Sequence, residues 1–201
     1  MLQVALIQMQ SGRDPAANIA FVKEAVRDAA SRGATYVQTP EMTGLLVRDR
    51  AEMLAKVRNQ KDDGLVAAAA ELAKAARIHL HIGSTAILRD DGKIANRAFL
   101  FGPEGSLIVT YDKIHMFDVD LDKGESWRES ATYEPGNKAV VASLPFGKLG
   151  FAICYDVRFP QLFREEALAG AEILTAPRLS AAFGHPLRAV QDGDTTLFVP
   201  A

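Results

Sequence analysis

The 201 residues contain a single cysteine, Cys154, so no disulfide can close within the chain and a small disulfide-held scaffold is excluded. A reducing cytoplasm is the expected setting. No run of about 18 apolar residues occurs, which excludes a membrane-spanning helix. The first ten residues, MLQVALIQMQ, lack the basic start and cleavage site of a signal peptide, and their alternation of apolar residues suits a strand. Charge is nearly balanced at a formal −2, so there is no basic face to hold nucleic acid or a membrane surface. Phosphate-cradling and dinucleotide-binding glycine patterns are absent; Gly12 and Gly44 stand alone. Nor is there an internal repeat or a linker-like stretch. Such a length suits one domain that buries roughly 70 % of its unfolded surface. Taken alone, Cys154 reads as a small buried hydrophobe.

What is present is the alternation of an α/β layered domain. A strand through Val4 and Leu6 is followed by Asp14-Pro15, an N-cap with proline at the first helical position. Ile19, Val22, Val26 and Ala29 recur at helical spacing, and Gly33 suits a left-handed cap. Residues 34–38 read as a second strand that delivers Glu41 at its carboxyl end. Helices are expected over 48–60 and 62–77. Strands are expected over 80–88, 98–101 and 107–112, with turns at Asp91-Gly92 and at 103–105. From Phe117 to Asn137 no periodicity survives, and a loop that long in a compact domain is often functional. A strand pair follows over 138–143 and 149–154, then a helix over 159–169 and a strand from Ala171 to Thr175.

Four segments carry chemistry. Thr39-Pro40-Glu41-Met42 follows one strand and Tyr111-Asp112-Lys113-Ile114-His115-Met116-Phe117-Asp118 follows another. Glu129-Ser130 precedes Pro135-Gly136, and the run from Gly150 through Cys154-Tyr155-Asp156-Val157-Arg158-Phe159-Pro160 crosses from strand into helix. A strand-to-helix elbow exposes its middle residue and aims free backbone N–H groups at it. Those donors and the positive helix end favour a thiolate at Cys154 and, later, an oxyanion. Glu41 suits a general base and Lys113 a cation for a developing charge. The bland alternatives are a helix-starting glutamate and a solvated lysine.

In this order the segments resemble the Glu-Lys-Cys signature of the nitrilase, or carbon–nitrogen hydrolase, superfamily. The Phe-Pro after the cysteine and the Lys-Ile-His run resemble its branch of small ω-amidases and deaminated-glutathione amidases. The resemblance implies an α-β-β-α sandwich, a homodimer paired beside the cysteine elbow, a small-molecule amide substrate, and neither metal nor organic cofactor. It implies that Glu41 takes the proton of Cys154, that Lys113 and the Tyr155 N–H hold the oxyanion, and that water releases the acid from an acyl-thioester. It also implies that Glu129 positions the lysine or the substrate. A solvated loop glutamate is the other reading. Arg158 suits a bidentate clamp on a substrate carboxylate, or an ion pair with Asp156 or Glu165. His79 and His81 alternate on one strand face but lack a third ligand for a metal, and His115 is expected to hydrogen-bond locally.

The resemblance runs from residue 2 to about Pro177, which defines an expected hydrolase domain over 1–177 and an atypical tail over 178–201. Beyond Pro177 the family's His-Trp segment and arginine-rich helix are missing, so the sandwich is expected to be incomplete at its C-terminal side. Asp192-Gly193-Asp194 and Pro200 read as loop. An altered reading frame near Arg178 is the favoured origin, against a naturally short variant or a fragment. The competing function is an inactive family member that serves only as a binding or assembly protein.

Overall fold

Strand β1 (Val4–Leu6) hands the chain to Asp14, whose Oδ1 accepts the Ala16 N–H at 2.9 Å. Pro15 then opens α1 (Pro15–Ser31), and Gly33 follows it at φ 92°, a left-handed conformation that glycine adopts without steric cost. This is a computed structural model; it describes residues 2–120 and 126–179, and the backbone of 187–192 and 195–200. Strand β2 (Tyr36–Gln38) leads to the Glu41 turn. Two capped helices follow. Asp49 Oδ1 accepts the Glu52 N–H before α2 (Arg50–Lys56), and Asp63 Oδ1 accepts two N–H groups before α3 (Gly64–Ala76).

Strands β3 (His79–Leu88), β4 (Ile94–Phe101) and β5 (Leu107–Asp112) complete a sheet of order β1-β2-β3-β4-β5. The first three strands run parallel, and β4 and β5 fold back as antiparallel hairpins. Next come the short pair β6 (Asp118–Asp120) and β7 (Ser126–Arg128) and a 3₁₀ turn over Glu129–Ala131. Strands β8 (Val141–Leu144) and β9 (Gly147–Phe151), helix α4 (Pro160–Leu168) and strand β10 (Ile173–Thr175) form the second half. Its sheet has the order β10-β9-β8. The last two strands, β11 (Leu187–Asp192) and β12 (Thr195–Pro200), pair antiparallel with each other.

Four layers result. Val22, Val26 and Ala29 of α1 and Leu65, Ala69, Leu72 and Ala73 of α3 pack on Val37, Leu80, Ile82, Phe99 and Phe101 of the first sheet. The other face of that sheet, through Tyr36, Ala98, Leu100 and Tyr111, packs on Leu149, Phe151 and Ile153 of the second half. Gly150 turns the opposite way, and a Cβ there would meet Glu166 of α4 at 2.7 Å, so α4 lies close over β9. This is the expected α-β-β-α sandwich. Burial of the two apolar faces against each other stabilises it, at about 25 cal/mol per Å² of apolar surface removed from water.

Several boundaries differ from expectation. Strand β4 starts at Ile94 rather than Ala98, because the polar Asn96 and Arg97 find partners inside the fold. Arg97 binds Asp112 through Nε and Nη2 at 2.6 and 2.8 Å. The stretch from Phe117 to Asn137, expected as loop, holds β6, β7 and the 3₁₀ turn; residues 121–125 lie outside the described ones. Pro200, also expected in a loop, is in β12 opposite Leu187. The β-branched and aromatic residues Thr195, Thr196, Phe198 and Val199 favour a strand, which fits the pairing. Of that expected loop, Gly193 and Asp194 lie outside the described residues, as do 180–186. Among the described residues no helix is long and apolar enough to cross a membrane.

Candidate active site

Strand β9 ends at Phe151, and after Ala152 and Ile153 the chain enters a 3₁₀ turn over Cys154–Arg158 that feeds α4. Cys154 takes φ 47°, a left-handed conformation that is costly for a residue with a side chain. Its N–H donates to Pro177 O at 2.9 Å, which ties the elbow to the end of β10. The next N–H, that of Tyr155, has no acceptor among the described residues and is one of the free donors an elbow exposes. Tyr155 packs edge-on against Phe117 and Phe159.

Glu41 reaches the elbow from the other sheet. It is only 5 % exposed, and the next residue, Met42, is also left-handed at φ 56°. The turn is held from below: Ser84 Oγ accepts the Met42 N–H at 2.9 Å, and Thr43 N–H donates to Ser84 O at 2.8 Å. Gly83 leaves no room there, since a Cβ would lie 2.1 Å from Thr39 O. Lys113, one residue past β5 and 2 % exposed, donates from Nζ to Glu41 Oε1 at 3.0 Å and to both oxygens of Glu129 at 3.0 and 2.8 Å. Glu41 Oε2 also accepts the Leu179 N–H at 3.0 Å. Glu129 is not the solvated loop residue of the bland reading. Its Oε2 accepts the Phe117 N–H at 2.7 Å.

The cluster therefore holds two carboxylates around one ammonium, and its electrostatics follow. Burial pulls the Lys113 ammonium down, but the charges of Glu41 and Glu129 outweigh it and hold the group above its ordinary value. Cys154 goes the other way. Burial, then the negative charge of Glu41, push its thiol up to about 12; Lys113 opposes this, while a hydrogen bond to Glu41 adds to it. Burial and Glu41 thus favour the neutral thiol, against the donors that led to the expectation of a thiolate. Free N–H groups at the elbow do not offset two nearby carboxylates in a buried setting.

Three residues that sequence reasoning passed over belong to the assembly. Asn96 donates from Nδ2 to Glu41 Oε1 at 3.0 Å and to Glu129 Oε1 at 3.3 Å. Tyr133 lies half-buried beside both glutamates, and desolvation of its hydroxyl, then their charge, raise that hydroxyl above its ordinary range. Asp156 has no exposed surface and accepts from Tyr111 Oη at 2.7 Å, Ile153 N at 2.8 Å, and His115 N and Nδ1 at 2.9 and 2.7 Å. His115 thus bonds across to the elbow rather than locally, with its ring stacked on Phe159 at 3.7 Å. The available signal was a polar residue inside an apolar strand, which needs a partner when it faces inward.

Arg158 is exposed at the end of the turn and enters no ion pair among the described residues, since Asp156 is already occupied by its own donors. His79 and His81 do share a face. His79 packs on Phe146, whereas His81, fully buried, bonds Tyr36 Oη at 2.8 Å and packs on Phe151. Burial holds His81 down to about 3, so it stays neutral. Among the described residues no group of three or more His, Cys, Asp or Glu side chains could hold a metal ion.

The family profile described as carbon-nitrogen hydrolase matches residues 3–192. Among curated proteins, the deaminated glutathione amidase of Yersinia enterocolitica is 37 % identical over 177 residues, covering 87 % of this chain and 61 % of its own length. Omega-amidase NIT2 of Mus musculus is 35 % identical over 180 residues, covering 87 % and 62 %. Among solved structures, Nit3 of Saccharomyces cerevisiae, a member of branch 10 of the nitrilase superfamily, superimposes with a TM-score of 0.76 at 28 % identity, covering 88 % of this chain and 64 % of that one. The C. elegans NitFhit protein gives 0.79 at 25 % identity, covering 89 % and 45 %. The chain spans about three fifths of the length of these curated relatives.

Proposed function

This chain belongs to the carbon–nitrogen hydrolase family, and on that premise we propose that it hydrolyses the amide of a small carboxylate-bearing molecule through an acyl-thioester on Cys154, releasing ammonia. The single observation that carries this reading is the convergence of a buried carboxylate, a buried ammonium and a half-buried thiol that feels the charge of both.

Because the thiol is neutral at rest, attack and deprotonation go together. Cys154 Sγ adds to the amide carbon as Glu41 takes its proton. The negative oxygen that forms is held by the Lys113 ammonium and the Tyr155 N–H, preorganised donors in a site with little water. Glu41 returns the proton to the nitrogen as the carbon–nitrogen bond breaks, and ammonia leaves. Water then gives a proton to Glu41 and its hydroxyl to the thioester, the carbon–sulfur bond breaks, and the thiol recovers its proton. One amide and one water become one carboxylic acid and one ammonia. Glu129 neutralises and orients Lys113, and Arg158 at the rim takes the substrate's distal carboxylate. Its similarity to a deaminated glutathione amidase and to omega-amidases supports substrates of the ω-amide kind, such as 2-oxoglutaramate or deaminated glutathione.

The reading includes a homodimer in the cytoplasm. A lone free thiol suits a reducing compartment, and exposed Val157, Leu168 and Leu174 on the elbow, α4 and β10 offer apolar surface for a second copy. The test of function is a panel of ω-amides and nitriles assayed for ammonia, with Cys154→Ala as control and mass spectrometry for an acyl adduct. Ammonia and an adduct from the parent, both absent in Cys154→Ala, are expected. Folded protein that yields neither from any amide would overturn the reading.

A further inference from the structure

We propose that Asn96 is a positioning residue of this site, whose side-chain amide locks Glu41 and Glu129 into one cluster with Lys113 and sets Glu41 for proton transfer. The inference rests on the reading of Glu41 as the base for Cys154.

Asn96 touches all three charged members. Its Nδ2 donates to Glu41 Oε1 at 3.0 Å and to Glu129 Oε1 at 3.3 Å, and its backbone oxygen accepts the Lys113 N–H at 2.9 Å. The register of β4 on β3, with Asn96 opposite Ala86, fixes this placement, and the residue is 1 % exposed. The two carboxylates can only accept, so they dictate that the NH₂ end of the amide faces them.

The chemistry of the cluster explains why an amide is used. One cation serves two anions. A second cation would neutralise the base, and an acceptor would repel both carboxylates. A neutral donor that spans the two satisfies both without cancelling charge. Stability alone does not account for the choice, because Asn96 Oδ1 is buried with no partner among the described residues, while Ala98, two residues on along the same strand face, is apolar. The other titratable groups that face Glu41 are Lys113, Cys154, Glu129 and Tyr133, from the end of β5, the elbow, the 3₁₀ turn and the segment after it.

The test uses the whole 201-residue chain. In Asn96→Ala, Glu41 loses a hydrogen-bond donor to its carboxylate, so the acid limb of kcat/KM on an ω-amide is displaced to higher pH than in the parent. The value of kcat falls on the order of 10- to 100-fold, while KM changes less than roughly threefold. The pH dependence of Cys154 alkylation by iodoacetamide, read by mass spectrometry, shows the same displaced limb without requiring turnover. Asn96→Asp keeps volume and packing but replaces the donor with an acceptor, and gives the larger loss with an unchanged circular dichroism spectrum; it decides the matter if Asn96→Ala does not fold. Parent-like limbs in these variants, whatever the size of the rate loss, would reduce Asn96 to a structural residue and overturn the proposal. A parent that shows the limb in alkylation yet hydrolyses no amide would instead sink the hydrolase reading, and the positioning role would stand or fall on the alkylation limb alone.

Discussion

Asp156 Oδ1 receives two N–H groups of His115 at once, the backbone one at 2.9 Å and the ring Nδ1 at 2.7 Å. His115 lies two residues after Lys113, and Asp156 lies two residues after Cys154. The pair therefore ties the segment that carries Lys113 to the elbow that carries Cys154, which come from different sheets.

Replacing Asp156 by Asn puts an NH₂ where donors already converge. A displacement of about 1 Å at the reacting atoms costs on the order of 100-fold in rate. Asp156→Asn is expected to lose that much kcat, measured on the best ω-amide. Urea unfolding is expected to show a loss of about 3 kcal/mol, since the residue is fully buried and its donors lose their acceptor. Parent-like kcat would remove the elbow tie from the mechanism.

Lys113→Met leaves Glu41 and Glu129 buried without their cation. Removing one partner of a buried ion pair costs about 3–5 kcal/mol, and hydrolysis should be lost with it. The carboxylates then gain from protonation, so the folded variant binds protons more readily than the unfolded chain and its deficit shrinks as pH falls. Denaturant curves at pH 5 and pH 8 check the sign. A deficit that grows toward acid pH contradicts it.

Glu166 provides a second pH test away from the chemistry. It has no exposed surface, Oε1 accepts the Phe151 N–H at 2.9 Å, and Oε2 has no partner among the described residues. Burial pushes its carboxyl up to about 7 from an ordinary value near 4.5. The folded state thus favours the protonated form, and that contribution is complete below pH 4.5 and lost as pH rises through 7. Glu166→Gln, which stays neutral, should be more stable than the parent at pH 8 by on the order of 2 kcal/mol, with the difference closing by pH 4.5. Thermal melts at the two pH values measure it, and equal gains at both would contradict the burial argument.

Gly83→Ala is expected to disturb Glu41 without touching it. The added carbon would lie 2.1 Å from Thr39 O and 2.5 Å from Pro40 O, both backbone atoms that cannot swing aside. Overpacking of this kind costs about 1–3 kcal/mol, and the shifted turn carries the base away from the thiol. Lower melting temperature together with lower kcat is the expected pair of readings.

Arg158→Lys separates substrate recognition from chemistry. A lysine keeps the charge but loses the bidentate fork, so KM for an ω-amide bearing a carboxylate should rise on the order of tenfold. A neutral amide should be unaffected. Steady-state kinetics on such a pair decides it, and an unchanged KM for the anionic amide would remove Arg158 from the binding site.

How far the site was legible follows from where each residue's partner lies. Asp14-Pro15 and Gly33 act within one turn of their own position, so the ends of α1 could be read directly. Glu41 and Cys154 each follow a recognisable strand, and Lys113 stands in a motif, so the four-layer fold and the trio were accessible. Asn96 was not. Its partners are Glu41 and Glu129, 55 and 33 residues away, and an asparagine in a strand looks the same whether it meets water or a carboxylate. The same reason hid the bond from His115 to Asp156. The pull of Glu41 on the Cys154 thiol was hidden too, because local donors are visible in sequence, whereas the sum of distant charges is not.

The left-handed, half-buried position of Cys154 has a consequence for the life of the protein as well as for its chemistry. Oxidants attack thiolates. In the newly made or unfolded chain, Cys154 is an ordinary exposed thiol, partly ionised near pH 8.5 and open to hydrogen peroxide. Folding half-buries it beside Glu41, whose charge disfavours the thiolate, so the folded chain is expected to oxidise more slowly than the unfolded one. Sulfenic acid formed on Cys154 by brief peroxide treatment, compared between native and urea-unfolded protein, measures the difference.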